Sequence, residues 1–236
     1  MPKHIGIVAV SAEGAALCYR TICVEGASMF GLYGHPEISM HTYPLADYMR
    51  HIDVGRWDEV ASMLASSAEK LRKGGVELVI CPDNTVHQGL DLIRDSSAVR
   101  WLHIAEEVGN VAAQRGFRRL LVLGTTFLME GPVYPGKLRA LGIESDIPGA
   151  GRRTEINRFI FDELVCGQLN ESTRSAFGDI IAEGQSQGCD AVVLGCTEIP
   201  LLIDDEDSPL PTLDSTRILA RAALREAARD SSSSVA

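Results

Sequence analysis

Two turns in this sequence carry residues suited to moving a proton. In "GCTE" (195–198), Cys196 follows a glycine at the end of the apolar run "AVVLGC" (191–196). A thiolate is a strong base and a neutral thiol a good proton donor, and Thr197 adds a hydroxyl. If a helix starts here, its free N–H groups and dipole stabilise a thiolate or a substrate carboxylate. Glu198 opposes the thiolate by repulsion. Cys166 and Cys189 read as structural thiols, whereas the polar surroundings of Cys196 suit a reactive one. In "DNTVH" (83–87), Asp83 sits at the same kind of strand end, after "ELVICP" (77–82). Asn84 and Thr85 supply amide and hydroxyl donors for a carboxylate. His87 falls about a turn into the next helix if one begins here. There it can orient Asp83 or donate a proton, the alternative being a helix-surface or half-buried histidine. "GTTFLME" (124–130) places Thr125 and Thr126 in a third such turn. It lacks the GK[ST] of a P-loop, and "AVSAEGAA" after the first strand lacks GxGxxG, so nucleotide binding is not indicated.

The elements that must hold these turns follow from the hydrophobic pattern. Four runs rich in β-branched residues, 4–10, 77–82, 119–124 and 191–196, are continuously apolar. That pattern marks strands buried on both faces, as in a parallel sheet. Between them lie helical patterns. Trp57–Lys73 puts Val60, Leu64, Ala68 and Leu71 on one face, and Gly74-Gly75 marks its end. Ile104–Arg115, Ser175–Gln187 and Asp214–Arg229 behave likewise, with Asp214 or Ser215 as the cap of the last. The alternation predicts an α/β fold with crossover connections.

Two segments can be laid over one another. "GVELVICPDNT" begins at Gly75 and "GCDAVVLGCTE" at Gly188. Matched from those glycines, Glu77 meets Asp190, Val79 meets Val192, Asp83 meets Cys196, Asn84 meets Thr197 and Thr85 meets Glu198. "GFRRLLVLGTT" then stands to the second segment as "KHIGIVAVS" stands to the first. The expectation is two pseudo-symmetric, doubly wound halves with mainly parallel sheets. The first covers 1–100 plus 211–230 and the second 101–210. Open α/β sheets bind ligands beyond the C-terminal ends of their strands. Asp83 and Cys196 are therefore expected on opposite walls of one cleft between the halves. The tail at 231–236, within "SSSSVA", is expected to be disordered.

Composition limits the partners. A net charge of −10 lacks the basic footprint of a nucleic-acid binder. The longest apolar runs are too short to cross a bilayer, and no secretory leader is read at the N-terminus. The six cysteines are scattered without metal-ligand spacing, so thiols are expected in a cytoplasmic protein, with no metal site.

At this point the chain resembles a family, the aspartate/glutamate racemases that work without pyridoxal phosphate. The resemblance runs from "KHIGIVAV" to "PLPTLDST". It rests on "HPEISMHT" (35–42), "NTVH" (84–87), "GTTFLMEGPVYPGKL" (124–138), "INRFIFDELVCGQL" (156–169) and, most sharply, "LGCTEIPLLI" (194–203). It implies two opposed acid/base residues, usually both cysteines, no cofactor, a small amino-acid substrate and a homodimer. One group removes the α-proton and the other returns a proton on the opposite face. Cys196 matches the second catalytic cysteine. The first position, immediately before "NT", holds Asp83, and some members carry threonine there. Cys81, two residues earlier, is the alternative if the loop is bulged. The glycine-rich turn of many members is here "VAVSAEG". A lysine that reads a side-chain carboxylate in some members is replaced near Thr154, with Arg152 and Arg153 beside it and Arg50 as another cation.

The resemblance implies an amino-acid racemase or epimerase, acting on small substrates of the aspartate or glutamate kind, with an Asp83/Cys196 pair. Asn84, Thr85, Thr125, Thr126, Thr197 and Glu198 are the expected substrate-binding residues, the hydroxyl and amide donors of the first five holding the enediolate. An Asp/Cys pair is lopsided, since a free carboxylate titrates near ~4 and a thiol near ~8.5. Lopsidedness suits a second reading, a decarboxylase or isomerase of small dicarboxylates that protonates from one side with one active cysteine. A non-catalytic carboxylate binder is the third.

Overall fold

The computed structural model describes residues 1–229, so the tail predicted to be disordered lies outside the described residues. The described chain divides into two compact units, residues 1–104 together with 216–229, and residues 105–215.

The first unit contains β1 (Ile5–Ala9), α1 (Ala12–Phe30), β2 (Ile38–Thr42), α2 (Leu45–Ile52), α3 (Trp57–Lys73), β3 (Leu78–Ile80), α4 (His87–Leu90) and β4 (Arg100–Trp101). Helix α5 (Ile104–Arg115) leads into the second. That unit continues with β5 (Arg119–Leu123), α6 (Thr126–Met129), α7 (Pro135–Arg139), β6 (Glu144–Asp146), α8 (Ala150–Arg158), α9 (Glu171–Ser186), β7 (Ala191–Leu194) and β8 (Thr212–Asp214). Helix α10 (Ser215–Ala228) returns the chain to the first unit.

Each unit holds one four-stranded sheet, ordered β2-β1-β3-β4 and β6-β5-β7-β8, with every pairing parallel. The central strands are the continuous apolar runs of the sequence. β1, β3 and β7 are buried at every position. The outer strands β2, β4, β6 and β8 are short or half-exposed and carry polar residues. Periodicity does not reveal such strands, because they bury too little apolar surface. Thr212–Asp214, expected in the first half, is the edge strand of the second sheet. Helix α9 begins at Glu171 rather than Ser175, and the strand expected to reach Cys196 ends at Leu194.

The repeat is visible in the hydrogen bonds. After α3, Gly75 has a φ of 90°; its N–H reaches the Arg72 carbonyl and the Val76 N–H reaches that of Leu71. After α9, Gly188 has a φ of 96°; its N–H reaches the Gln185 carbonyl and the Cys189 N–H reaches that of Gly184. Both are Schellman-type stops that need a left-handed residue, which glycine takes without strain. The chain then enters the third strand of its sheet the same way twice. The N–H of Glu77 donates to the His4 carbonyl at 3.0 Å, and that of Asp190 to the Arg119 carbonyl at 2.9 Å. Their carboxylates answer, Glu77 Oε1 accepting from the His4 N–H at 3.1 Å and Asp190 Oδ1 from the Arg119 N–H at 3.1 Å. Matched acids at 77 and 190 thus lock β3 and β7 in matched register beside β1 and β5.

Each unit has its own core. Ile5, Ile7, Ile22, Leu78, Ile80 and Leu219 pack in the first, and Leu121, Phe159, Phe177, Ile180, Val192 and Leu194 in the second. Each fully buried aliphatic side chain contributes about 1.5–3 kcal/mol relative to exposure, enough to hold the central strands rigidly under the turns they carry. No helix among the described residues is long and apolar enough to cross a membrane.

Candidate active site

In the first unit the turn follows β3. Asp83 is half-buried and Asn84 is buried. Asp83 Oδ1 accepts the Val86 N–H at 3.4 Å, which draws the carboxylate over the start of α4. Thr85 is half-buried, and its carbonyl receives the Gln88 N–H. Cys81, two residues before Asp83, has no exposed surface. Its thiol is pushed well above the usual range by burial, with the Asp83 charge adding to this and the Asp83 backbone hydrogen bond opposing it. An extended chain would put Cys81 and Asp83 on one face. The strand already stops at Ile80, so Pro82 and the turn carry Asp83 to partial exposure while Cys81 stays in the core.

His87 is the first residue of α4, not a turn into it, and its ring is completely buried. Its Nε2 is 3.0 Å from the Cys81 carbonyl. The reading of His87 as a surface or half-buried histidine is corrected accordingly. Burial and the neighbouring His103 hold its pKa well below the ordinary value, so a role as charged proton donor finds no support.

In the second unit the turn follows β7. The Gly195 N–H donates to the Leu123 carbonyl at 2.8 Å, tying the turn to β5. Cys196 is half-buried, and Thr197 and Glu198 are buried. The Cys196 thiol donates to Glu198 Oε2 at 2.9 Å, and the Thr197 hydroxyl donates to the same oxygen at 2.8 Å. No α-helix begins here. Only a 3₁₀ turn at Ile199–Leu201 follows, so the anticipated helix dipole is not what acts on this thiol. Glu198 Oε2, which accepts from the thiol, is placed to receive a proton from sulfur.

Thr125 and Thr126 stand in the same unit beyond β5. Thr125 caps α6, its Oγ1 accepting the Leu128 N–H at 3.3 Å. The Thr126 N–H donates to Asn157 Oδ1 at 3.0 Å. Asn157, on α8 within the "INRFIF" stretch, did not emerge from the sequence reading. A side chain that serves a distant backbone amide leaves no local pattern. Two glycines let the Thr125 and Cys196 turns approach. A Cβ on Gly124 would lie 3.2 Å from the Gly195 carbonyl oxygen, and one on Gly195 would lie 2.6 Å from that of Leu123. Gly195→Ala should therefore displace the Cys196 turn. We expect a loss of about 1–3 kcal/mol in urea unfolding and a fall in turnover larger than that loss explains.

The remaining candidate cations are engaged. Arg50, on α2, is largely exposed and pairs with Asp47 at 3.1 Å. Arg152, on α8, is held by Glu155 at 2.8 Å and Glu183 at 2.5 Å, and the adjacent Arg153 pairs with Glu130 at 2.9 Å. To read a substrate carboxylate, Arg152 would first have to release two of its own. Among the described residues no group of three or more His, Cys, Asp or Glu side chains is arranged to hold a metal.

Comparison with known proteins bears on the fold and the family. Residues 10–223 match the family model of the Asp/Glu/hydantoin racemases. The broad specificity amino-acid racemase RacX of Bacillus subtilis (strain 168) is 28% identical over 189 residues, spanning 79% of this chain and 80% of RacX. A candidate Asp/Glu racemase structure from Yersinia pestis is similar with a TM-score of 0.88 and 30% identity, over 95% of this chain and 99% of that one. An aspartate racemase homologue from Pyrococcus horikoshii OT3 is similar with a TM-score of 0.82 and 28% identity, over 96% and 99% of the two chains. Two parallel-sheet α/β halves with repeated third-strand turns, and a family match across most of the chain, make this protein a member of the Asp/Glu/hydantoin racemase family and an isomerase of the racemase type.

Proposed function

We propose that the protein inverts the α-carbon of a small amino acid without a cofactor, using Asp83 and Cys196 as acid and base on opposite faces of the substrate. One group takes the α-proton. The C–H electron pair moves into the carboxylate as an enediolate, and the other group delivers a proton to the far face, so protons balance. The observation that carries this reading is positional. Asp83 and Cys196 stand at matched places beyond the matched strands β3 and β7, each with hydroxyl or amide groups beside it. Asn84, Thr85, Thr125 and Thr126 are the donors for the enediolate, and the Thr197 hydroxyl joins them on releasing Glu198. Glu198 accepts from both Cys196 and Thr197, which supports service to the thiol. Substrates of the aspartate or glutamate kind fit the family description. Six free thiols suit a reducing, cytoplasmic setting.

One observation favours a second reading. A carboxylate where a thiol is usual makes the pair unequal, as suits a decarboxylase or isomerase that protonates from one side. Incubation in D₂O with L- and D-amino acids and small dicarboxylates separates them, read by NMR and chiral chromatography. Racemisation with deuterium at Cα is the expected result. Loss of CO₂ or double-bond isomerisation would establish the alternative, and binding without exchange would leave only a carboxylate binder. We further propose a homodimer, for which light scattering should return twice the chain mass of 25.5 kDa.

A further inference from the structure

The two matched turns are anchored differently. In the second unit the Gly195 N–H ties the chain to β5 through the Leu123 carbonyl at 2.8 Å. The matched residue of the first unit is Pro82, which has no N–H to give. The first turn therefore cannot use the tie that holds its counterpart. The structure places a side chain there instead. His87 reaches back from the start of α4 to the Cys81 carbonyl at 3.0 Å, closing the loop that contains Asp83, Asn84 and Thr85.

The chemistry of that bond sets the form of the ring. A carbonyl oxygen only accepts, so Nε2 carries the proton. Nδ1 is buried with no hydrogen-bond partner. A charged ring would place a second N–H in that spot with nothing to receive it. The His103 ring packs against His87 edge-on, with centroids 4.4 Å apart at 75°, and His103 Nε2 lies 3.4 Å from Asp91 Oδ1. Burial and His103 lower the His87 pKa, the Cys81 carbonyl and Asp91 raise it, and Arg94 lowers it further. Behind α4, Gly89 brings the helix against α3, where a Cβ would sit 2.9 Å from Val60 Cγ1 and 3.0 Å from the Ala61 nitrogen. His87 thus swings from a helix that cannot retreat.

We propose that His87 is the positioning residue of the Asp83 turn, an imidazole whose Nε2–H substitutes for the backbone tie that Pro82 removes. This rests on the reading of Asp83 as acid/base, and the test keeps the two apart. In wild-type protein, ¹⁵N-edited NMR of the imidazole should show the Nε2–H tautomer unchanged from about pH 5 to pH 9, the lower end lying below the ordinary histidine value of ~6.5. Titration of His87 in that range, or the other tautomer, overturns the proposal. His87→Phe keeps a ring but loses the donor. Its kcat should fall about 100-fold, the cost of a misaimed reacting group, with KM within about threefold. His87→Gln, which restores an amide donor, should recover part of the loss. A folded His87→Phe enzyme with wild-type kcat overturns the proposal while Asp83 stands. Should His87→Phe fail to fold, absence of rescue in a folded His87→Gln enzyme, judged against Asp83→Asn, overturns it. Full activity in Asp83→Asn would instead remove the acid/base reading, with the tautomer measurement still reporting on the tie.

Discussion

Cys196→Ala should abolish racemisation in both directions, a loss of about 10³-fold or more in kcat, in the upper range for removal of a general acid or base. In the proposed mechanism both directions fail because each needs the thiol once, as base in one and as acid in the other. The loss should not come from unfolding. Cys196 is half-buried, and its removal leaves the Gly195 tie and the Thr197–Glu198 hydrogen bond in place. Exchange should distinguish a missing base from a broken site. With Asp83 intact, one enantiomer should still wash in deuterium slowly at Cα and keep its configuration, because removal and return then use the same face. Cys196→Ser should lie closer to alanine than to wild type. A hydroxyl can still donate to Glu198, but it is far less acidic than a thiol and gives a poorer base at neutral pH. Retention of most activity in Cys196→Ala would take the thiol out of the mechanism.

The legibility of this site in the sequence follows from what leaves a pattern. Buried central strands announce themselves, since residues such as Leu120–Leu123 and Ala191–Leu194 must be apolar on both faces. The duplication was readable from two glycines and two acids. The structure gives their reason, as Gly75 and Gly188 stop helices while Glu77 and Asp190 fasten strand entries. Edge strands such as Glu144–Asp146 were not readable, because three polar residues paired on one side resemble a loop. Asp83 and Cys196 could be matched by position, but their anchoring could not. A helix start was the natural expectation after Cys196, and tertiary packing supplied a 3₁₀ turn and a carboxylate instead. His87 could be noticed as a histidine near Asp83. Its direction depends on Pro82, Gly89 and the burial of α4 against α3, none of which a local pattern encodes.

Asp83→Asn should cost far more activity than Cys81→Ala, and the order of the two settles which residue is the second acid/base. Asparagine keeps the shape and an oxygen for the Val86 N–H, so the turn should persist. What disappears is the proposed proton-carrying group, for an expected loss of about 10²–10⁴-fold in kcat with little change in melting temperature. Cys81→Ala should show the opposite pattern. The sulfur is fully buried, and burial pushes its thiol well above the usual range, so at neutral pH it is neither a base nor accessible. Its removal leaves a small void, costing about 1–2 kcal/mol, with kcat within about threefold. A third variant adds direction. Asp83→Cys would place a thiol in the position where the family usually has one, and near ~8.5 a free thiol titrates far above a carboxylate. Activity should survive, with its rate rising towards alkaline pH as the new thiol ionises, and the two directions of inversion should become more nearly equal. A Cys81→Ala enzyme that is dead while Asp83→Asn turns over would mean that the turn opens in solution and delivers the buried thiol. The Cys81 carbonyl held by His87 is the contact that would have to break first.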